Sequence, residues 1–149
     1  MCWPAGPGAQ NAAPNPVSER LQLQVPHLEA AINQDLSAGR KPFCVVATAG
    51  TTSSGAIDDI VSIHEIRRRY NIWLHVDGAY GAAVLFSDQH RSLVQGIEQA
   101  DSVTFDPHKW LAMPFSNGLV LTRACRCLAA HVLLPLSIPG ESIRRGLAG

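Results

Sequence analysis

Charge of one sign is what this sequence most plainly lacks. Its 12 basic and 12 acidic residues cancel to a formal net charge of zero, which excludes the basic surplus that marks an electrostatic nucleic-acid binder. Long hydrophobic runs are missing as well. Nothing approaches the roughly 18 apolar residues of a membrane span, and the longest candidate, residues 129–136, is interrupted by Pro135. No basic segment followed by an apolar one opens the chain, so no secretory signal is read there and cytoplasmic residence is the expectation. Cysteine is sparse: Cys2, Cys44, Cys125 and Cys127 have neither C-x-x-C spacing nor the density of a disulfide scaffold. Cys125-Arg126-Cys127 lacks the partner ligands of a zinc site, and His64-Glu65 lacks the second histidine of a zinc-protease helix. The cysteines are read as free thiols, and no metal is expected.

What remains is a chain of 149 residues, 46% hydrophobic and 16% charged, enough for one ordinary globular domain. Residues 1–25 are expected to form a disordered or loosely attached arm, because Pro4, Pro7, Pro14 and Pro16 fall among Gly, Ala and Asn. Pro26 suits the first turn of a helix. Leu28, Ile32 and Leu36 then make one apolar stripe, and Gly39 is placed to end it. Residues 43–47 read as a buried strand. Asp58 and Asp59 open a second helix that Arg67, Arg68 and Arg69 close, in accord with the helix dipole; Asp58 is read as its N-cap, and the arginines as a solvated helix end. Residues 72–76 and 102–105 are further strands, with a short helix expected over 91–99 between them, and 118–122 is a fourth. Trp73 and Trp110 are read as core, with the border of the ligand pocket as the alternative for Trp110. Strand alternating with helix predicts an α/β fold with a mostly parallel sheet. Residues 124–149 carry no clear period and are left as a tail without a role.

The chemistry gathers at two strand ends. Residues 75–79 read His-Val-Asp-Gly-Ala and residues 106–110 read Asp-Pro-His-Lys-Trp. In a parallel sheet both emerge on the carboxyl edge, where open α/β sheets bind ligands. A carboxylate (Asp77) that keeps a pyridinium protonated and a lysine (Lys109) that forms an imine are what a pyridoxal-phosphate site requires. Ala79 offers a methyl that packs flat on a ring. His108 can donate to a phosphate or to the substrate, and Thr51 and Thr52 offer hydroxyls from the turn after the first strand.

Taken together, the segments Ala47-Thr48-Ala49-Gly50-Thr51-Thr52, Gly55-Ala56-Ile57-Asp58, Trp73-Leu74-His75-Val76-Asp77-Gly78-Ala79-Tyr80-Gly81 and 101–111 resemble the group II pyridoxal-phosphate-dependent amino-acid decarboxylases. The spacing between aspartate and lysine, 109 − 77 = 32 residues, also fits. The resemblance covers residues 28–123 and implies part of a fold-type-I large domain, spanning 26–123, from an enzyme that releases CO2 from an L-amino acid. It implies a homodimer, with pyridoxal 5'-phosphate as cofactor and a small amino acid as substrate. Lys109 would be the Schiff-base lysine and Asp77 the pyridinium partner. Ala79 would lie on a ring face, Thr52 and His108 in the cofactor shell, and His75 close by. Position 106 is Asp where some members have Asn near the phosphate, so Asp106 is not counted as a ligand.

The family pattern also includes parts not found here: an upstream residue stacking on the other ring face, a phosphate-gripping turn, and a downstream loop tyrosine. A fragment of the large domain is the expectation. A catalytically incompetent truncated homologue or dimerisation partner is the alternative. Another fold-type-I enzyme, a carbon–carbon lyase or an aminotransferase, is a further one.

Overall fold

The structure, a computed structural model, describes residues 12–123. The first part of the expected arm, the expected tail over 124–149, and Cys2, Cys125 and Cys127 lie outside the described residues. Helix α1 spans Val25–Ser37 with Pro26 in its first turn, where a missing N–H leaves no intrahelical bond unmade. Leu28 and Ile32 are buried, but Leu36 is 47% exposed, so the apolar stripe ends one turn before the helix does. Gly39, at φ +72°, closes α1: its N–H donates to Leu36 O and that of Arg40 to Asp35 O. These are the two bonds of a Schellman cap.

The stretch before α1 is attached over its described length. Val17 pairs with Leu23 in an antiparallel bridge, Gln22 Nε2 donates to Ile57 O at 2.5 Å, and Leu23 N donates to Asp58 Oδ1 at 2.6 Å. Proline-rich composition made this segment look loosely held; side-chain and backbone bonds to the turn before the second helix hold it instead.

Strand β1 (Cys44–Thr48) leads through that turn into α2 (Ile60–Tyr70), followed by β2 (Trp73–Asp77). Asp59, not Asp58, is the N-cap, accepting from Ser62 N. Asp58 is turned inward, where its carboxylate accepts from Leu23 N and Thr48 N. The arginines at the end of α2 do more than meet solvent. Arg67 reaches Asp101 at 3.1 Å with its side chain 18% exposed, and Arg69 pairs with Glu29 of α1 at 2.7 Å.

Beyond β2 the chain runs through short 3-10 turns at Gly81–Phe86, Arg91–Val94 and Ile97–Gln99. The single helix expected over 91–99 is split because Gly96 takes φ +91°. There its backbone packs on Val61, so closely that a Cβ would come within 2.9 Å of that side chain. Strand β3 (Ser102–Phe105), the one-turn helix α3 (Pro107–Trp110) and β4 (Leu119–Thr122) complete the described chain.

The sheet order is β1-β2-β3-β4, with the first three strands parallel and β4 antiparallel to β3. The link to β4 holds only α3, and the chain folds back beside β3 rather than crossing over. Val45, Ala47, Leu74 and Val76 alternate onto one face, where they form a buried core with Leu28, Ile32, Ile60, Ile63 and Ile66 of the helices. Trp73, His75 and Asp77 alternate onto the other face.

Candidate functional site

The carboxyl ends of the parallel strands are set by register. Thr48 pairs with Asp77, and Asp77 with Thr104. The backbone on either side of Asp77 is pinned: Ala49 N donates to Asp77 O at 2.8 Å, and Gly78 N donates to Thr104 O at 3.0 Å. Asp77 itself is exposed, and its Oδ1 accepts from Ala79 N at 3.1 Å. The carboxylate thus stands at the sheet edge on a fixed main chain, with Ala79 bonded to it.

His75, two residues earlier on the same face, is engaged in the sheet. Its Nδ1 lies 2.8 Å from Ser102 Oγ and its Nε2 3.1 Å from Thr104 Oγ1. Ser102 Oγ also accepts from Trp73 Nε1 at 2.8 Å. A neutral ring gives every donor here an acceptor: Ser102 donates to Nδ1, and Nε2–H donates to Thr104. Burial pushes the His75 imidazole below its ordinary value, against the opposing pull of the nearby Asp77 carboxylate. Ser102 and Thr104 were not singled out in the sequence. A short hydroxyl residue in a strand gives no signal until the register places it opposite a histidine.

On the neighbouring strand end, Pro107 starts α3 and brings His108 and Lys109 just past β3. Lys109 Nζ stands 2.9 Å from Asp106 Oδ2, with side chains 32% and 18% exposed. Asp106 occupies the N-cap position of α3 yet makes no side-chain cap bond. His108 Nδ1 lies 2.7 Å from Asn117 O, in the segment returning to β4, and its ring meets Phe115 edge-on at 4.9 Å between centroids. Trp110, expected in the core, is 55% exposed. Its ring packs edge-to-face on Tyr80 at 5.3 Å, joining the two strand-end segments.

The remaining predicted residue stands apart. Thr52 is exposed in the turn after β1, and among the described residues no hydrogen bond joins it to the others. Its neighbour Thr51 stabilises the turn instead, with Oγ1 2.6 Å from Ser54 Oγ and accepting from Ala56 N. That turn is nevertheless locked to the segment after β2, because Gly50 and Gly81 touch backbone to backbone. A Cβ on Gly50 would lie 2.8 Å from Gly81 Cα. The predicted residues thus fall into two groups that follow adjacent parallel strands to one edge, His75, Asp77 and Ala79 after β2 and His108 and Lys109 after β3, with Ala79 N bonded to Asp77, Lys109 paired with Asp106, and the β1 turn held beside them. Among the described residues no group of three His, Cys, Asp or Glu is placed to hold a metal ion, and no helix is long and apolar enough to cross a membrane.

Residues 15–135 match the sequence profile of the family described as the pyridoxal-dependent decarboxylase conserved domain. The aromatic-L-amino-acid decarboxylase of Bacillus atrophaeus is 43% identical over 111 residues, which cover 74% of this chain and 23% of that protein. The L-2,4-diaminobutyrate decarboxylase of Rhizobium meliloti (strain 1021) is 48% identical over 102 residues, 68% of this chain and 20% of that protein. Among solved structures, that of Oryza sativa TDC with PLP superposes with a TM-score of 0.75 at 32% identity, covering 80% of this chain and 26% of the other. The chain therefore spans about a quarter or less of the length of each of these relatives.

Proposed function

The chain belongs to the pyridoxal-dependent decarboxylase family, and from that membership we propose that it is the lysine-bearing part of a carboxy-lyase converting an L-amino acid to its amine and CO2. One observation carries the reading: an amine, Lys109, and a carboxylate, Asp77, follow adjacent parallel strands onto the same sheet edge. The donor set fits pyridoxal phosphate. Asp77 is exposed on a pinned backbone, Lys109 is reachable from solvent, and Ala79 beside Asp77 presents only a methyl group.

When bound, pyridoxal phosphate supplies an electron sink for the bond to be broken at the substrate's α-carbon. The protein's residues would do the rest. Lys109 attaches the cofactor through its amine. Asp77, as a fixed anion, holds a proton on the ring nitrogen, and its position follows from the backbone bonds on both sides of it. Ala79 leaves a ring face uncrowded. His108 and Thr52 supply polar groups at the rim, and His75 supports the edge from within the sheet. Residues 26–123 form this part of the large domain. Homodimeric assembly in the cytoplasm belongs to the same reading, and sedimentation of the complete enzyme checks the dimer.

The test is an absorbance titration of the purified chain with pyridoxal phosphate, followed by borohydride reduction and peptide mass spectrometry. A band near the visible edge that is lost in Lys109→Ala, with the reduced adduct on Lys109, supports the reading. A spectrum that Lys109→Ala leaves unchanged overturns it for this chain.

A further inference from the structure

We propose that Asp106 is a positioning residue that holds the Lys109 amine in a resting ion pair, so that attack on an aldehyde requires this pair to open. The proposal rests on the reading of Lys109 as the cofactor-attaching lysine, but it concerns the side chain's state before any cofactor arrives.

Three features of the structure support it. The first is contact: Nζ lies 2.9 Å from Oδ2, the distance of a charge-assisted hydrogen bond. The second is what Asp106 forgoes. An aspartate at an N-cap ordinarily accepts from a backbone N–H of the first turn. Here the carboxylate makes no such bond; Lys109 N is taken by the Asp106 main-chain oxygen at 3.1 Å, and the side chain is given to the amine. The third is confinement. Asp106 is 18% exposed at its side chain, and its Oδ1 lies so near Gly118 that a Cβ there would approach it to 3.1 Å. A carboxylate this far covered has fewer alternative positions than an exposed surface partner.

The chemical consequence is direct. An amine attacks a carbonyl through its lone pair. The paired nitrogen is an ammonium with no lone pair, so its contact with Asp106 opens and one of its protons passes to solvent before the carbon–nitrogen bond forms and water leaves. Removing the carboxylate's charge removes the contact that must open.

The sequence supplies its own reference, because Lys41 and Lys109 are the only two lysines, and Lys41 is exposed. Acetaldehyde with cyanoborohydride is a neutral probe: the amine adds to the carbonyl, water is lost, and hydride from the reductant leaves an N-ethyl lysine. The ratio of Lys109 to Lys41 labelling, read by peptide mass spectrometry, is expected to rise about two- to five-fold in Asp106→Asn, the range of a partly exposed ion pair. Asp106→Glu, which keeps the charge, is expected to restore slow labelling. Added sodium chloride is expected to raise the wild-type ratio while leaving Asp106→Asn unchanged, a response that loosened packing alone does not give. Equal ratios in wild type and Asp106→Asn, or a salt-insensitive wild type, overturn the proposal. A parallel labelling with pyridoxal phosphate separates the two readings. No preference for Lys109 over Lys41 in any variant defeats the cofactor role of Lys109, whereas the acetaldehyde ratio alone decides the resting pair.

Discussion

His75 and Ser102 sit opposite each other in the β2–β3 register, with Nδ1 2.8 Å from Oγ. The serine is 8% exposed and also takes the Trp73 indole N–H, so one hydroxyl serves two rings. Ser102→Ala leaves the indole N–H and a histidine nitrogen without partners in a place water reaches poorly. The expected loss is about 1–3 kcal/mol of stability, measured as a lower urea midpoint with an unchanged slope. A variant as stable as the wild type would show that the hydroxyl is dispensable.

Burial also gives His75 a pH signature. Its folded-state value is lowered from the ordinary 6.5, so between the two values the unfolded chain binds a proton that the folded chain does not. Stability from this group is therefore present above pH 6.5 and is lost as pH falls below it toward the folded value. Denaturation midpoints of wild type and His75→Gln, compared from pH 7.5 to pH 5, are expected to show a steeper acid decline in the wild type. Parallel curves would mean that His75 is not the source of the decline.

Much of this was legible in the sequence, and the limits have physical causes. The bounds of β3 coincide with its apolar run and those of the first two strands lie within a residue of theirs, because apolar runs bounded by turn residues carry their own signal. The strand ends bearing Asp77 and Lys109 followed from that. What composition and period do not encode is pairing through side chains. Asp58 has the look of a cap, but Asp59 beside it does the capping. Trp110 has the look of core, but it stands exposed against Tyr80. Gly96 breaks a helix because its left-handed backbone packs on Val61, a contact 35 residues away in sequence (96 − 61). Asp106, an unfavourable neighbour for a phosphate by its charge, is turned to Lys109 instead.

Asp58 ties three segments together: its carboxylate accepts from Leu23 N at 2.6 Å and Thr48 N at 2.8 Å. One donor belongs to the stretch before α1 and the other to the end of β1. Bonds to an ionised acceptor contribute about 1.5–3 kcal/mol each when a partner is removed. Asp58→Ala is expected to cost about that much in total, since the half-exposed site admits some water. The more specific readout is hydrogen exchange. Leu23 N and Thr48 N are expected to lose protection together in Asp58→Ala, while amides of β3 keep theirs. Loss at Thr48 without loss at Leu23 would show that the early segment is held by its other contacts.

The contact between Gly50 and Gly81 is where fold and site meet. It presses the turn carrying Thr51 and Thr52 against the segment that follows Asp77 and Ala79. A methyl on Gly81 would come within 2.8 Å of Gly50 Cα and would also strike the Ala49 carbonyl. Both obstacles are backbone, with no flexible side chain to yield, so the two segments must part. Overpacking of this kind costs about 1–3 kcal/mol or more, and it would move the β1 turn away from the sheet edge. Gly81→Ala is expected to lower the melting temperature and also to weaken pyridoxal phosphate capture at Lys109. Gly39→Ala is the matched control. Gly39 also has a positive φ, but a Cβ there meets nothing within 4 Å, and it lies at the end of α1. Its expected cost is about 1 kcal/mol from backbone strain alone, with capture unchanged. Equal loss of capture in both variants, at equal loss of stability, would mean that the Gly50–Gly81 contact matters to the fold and not to the arrangement of the site.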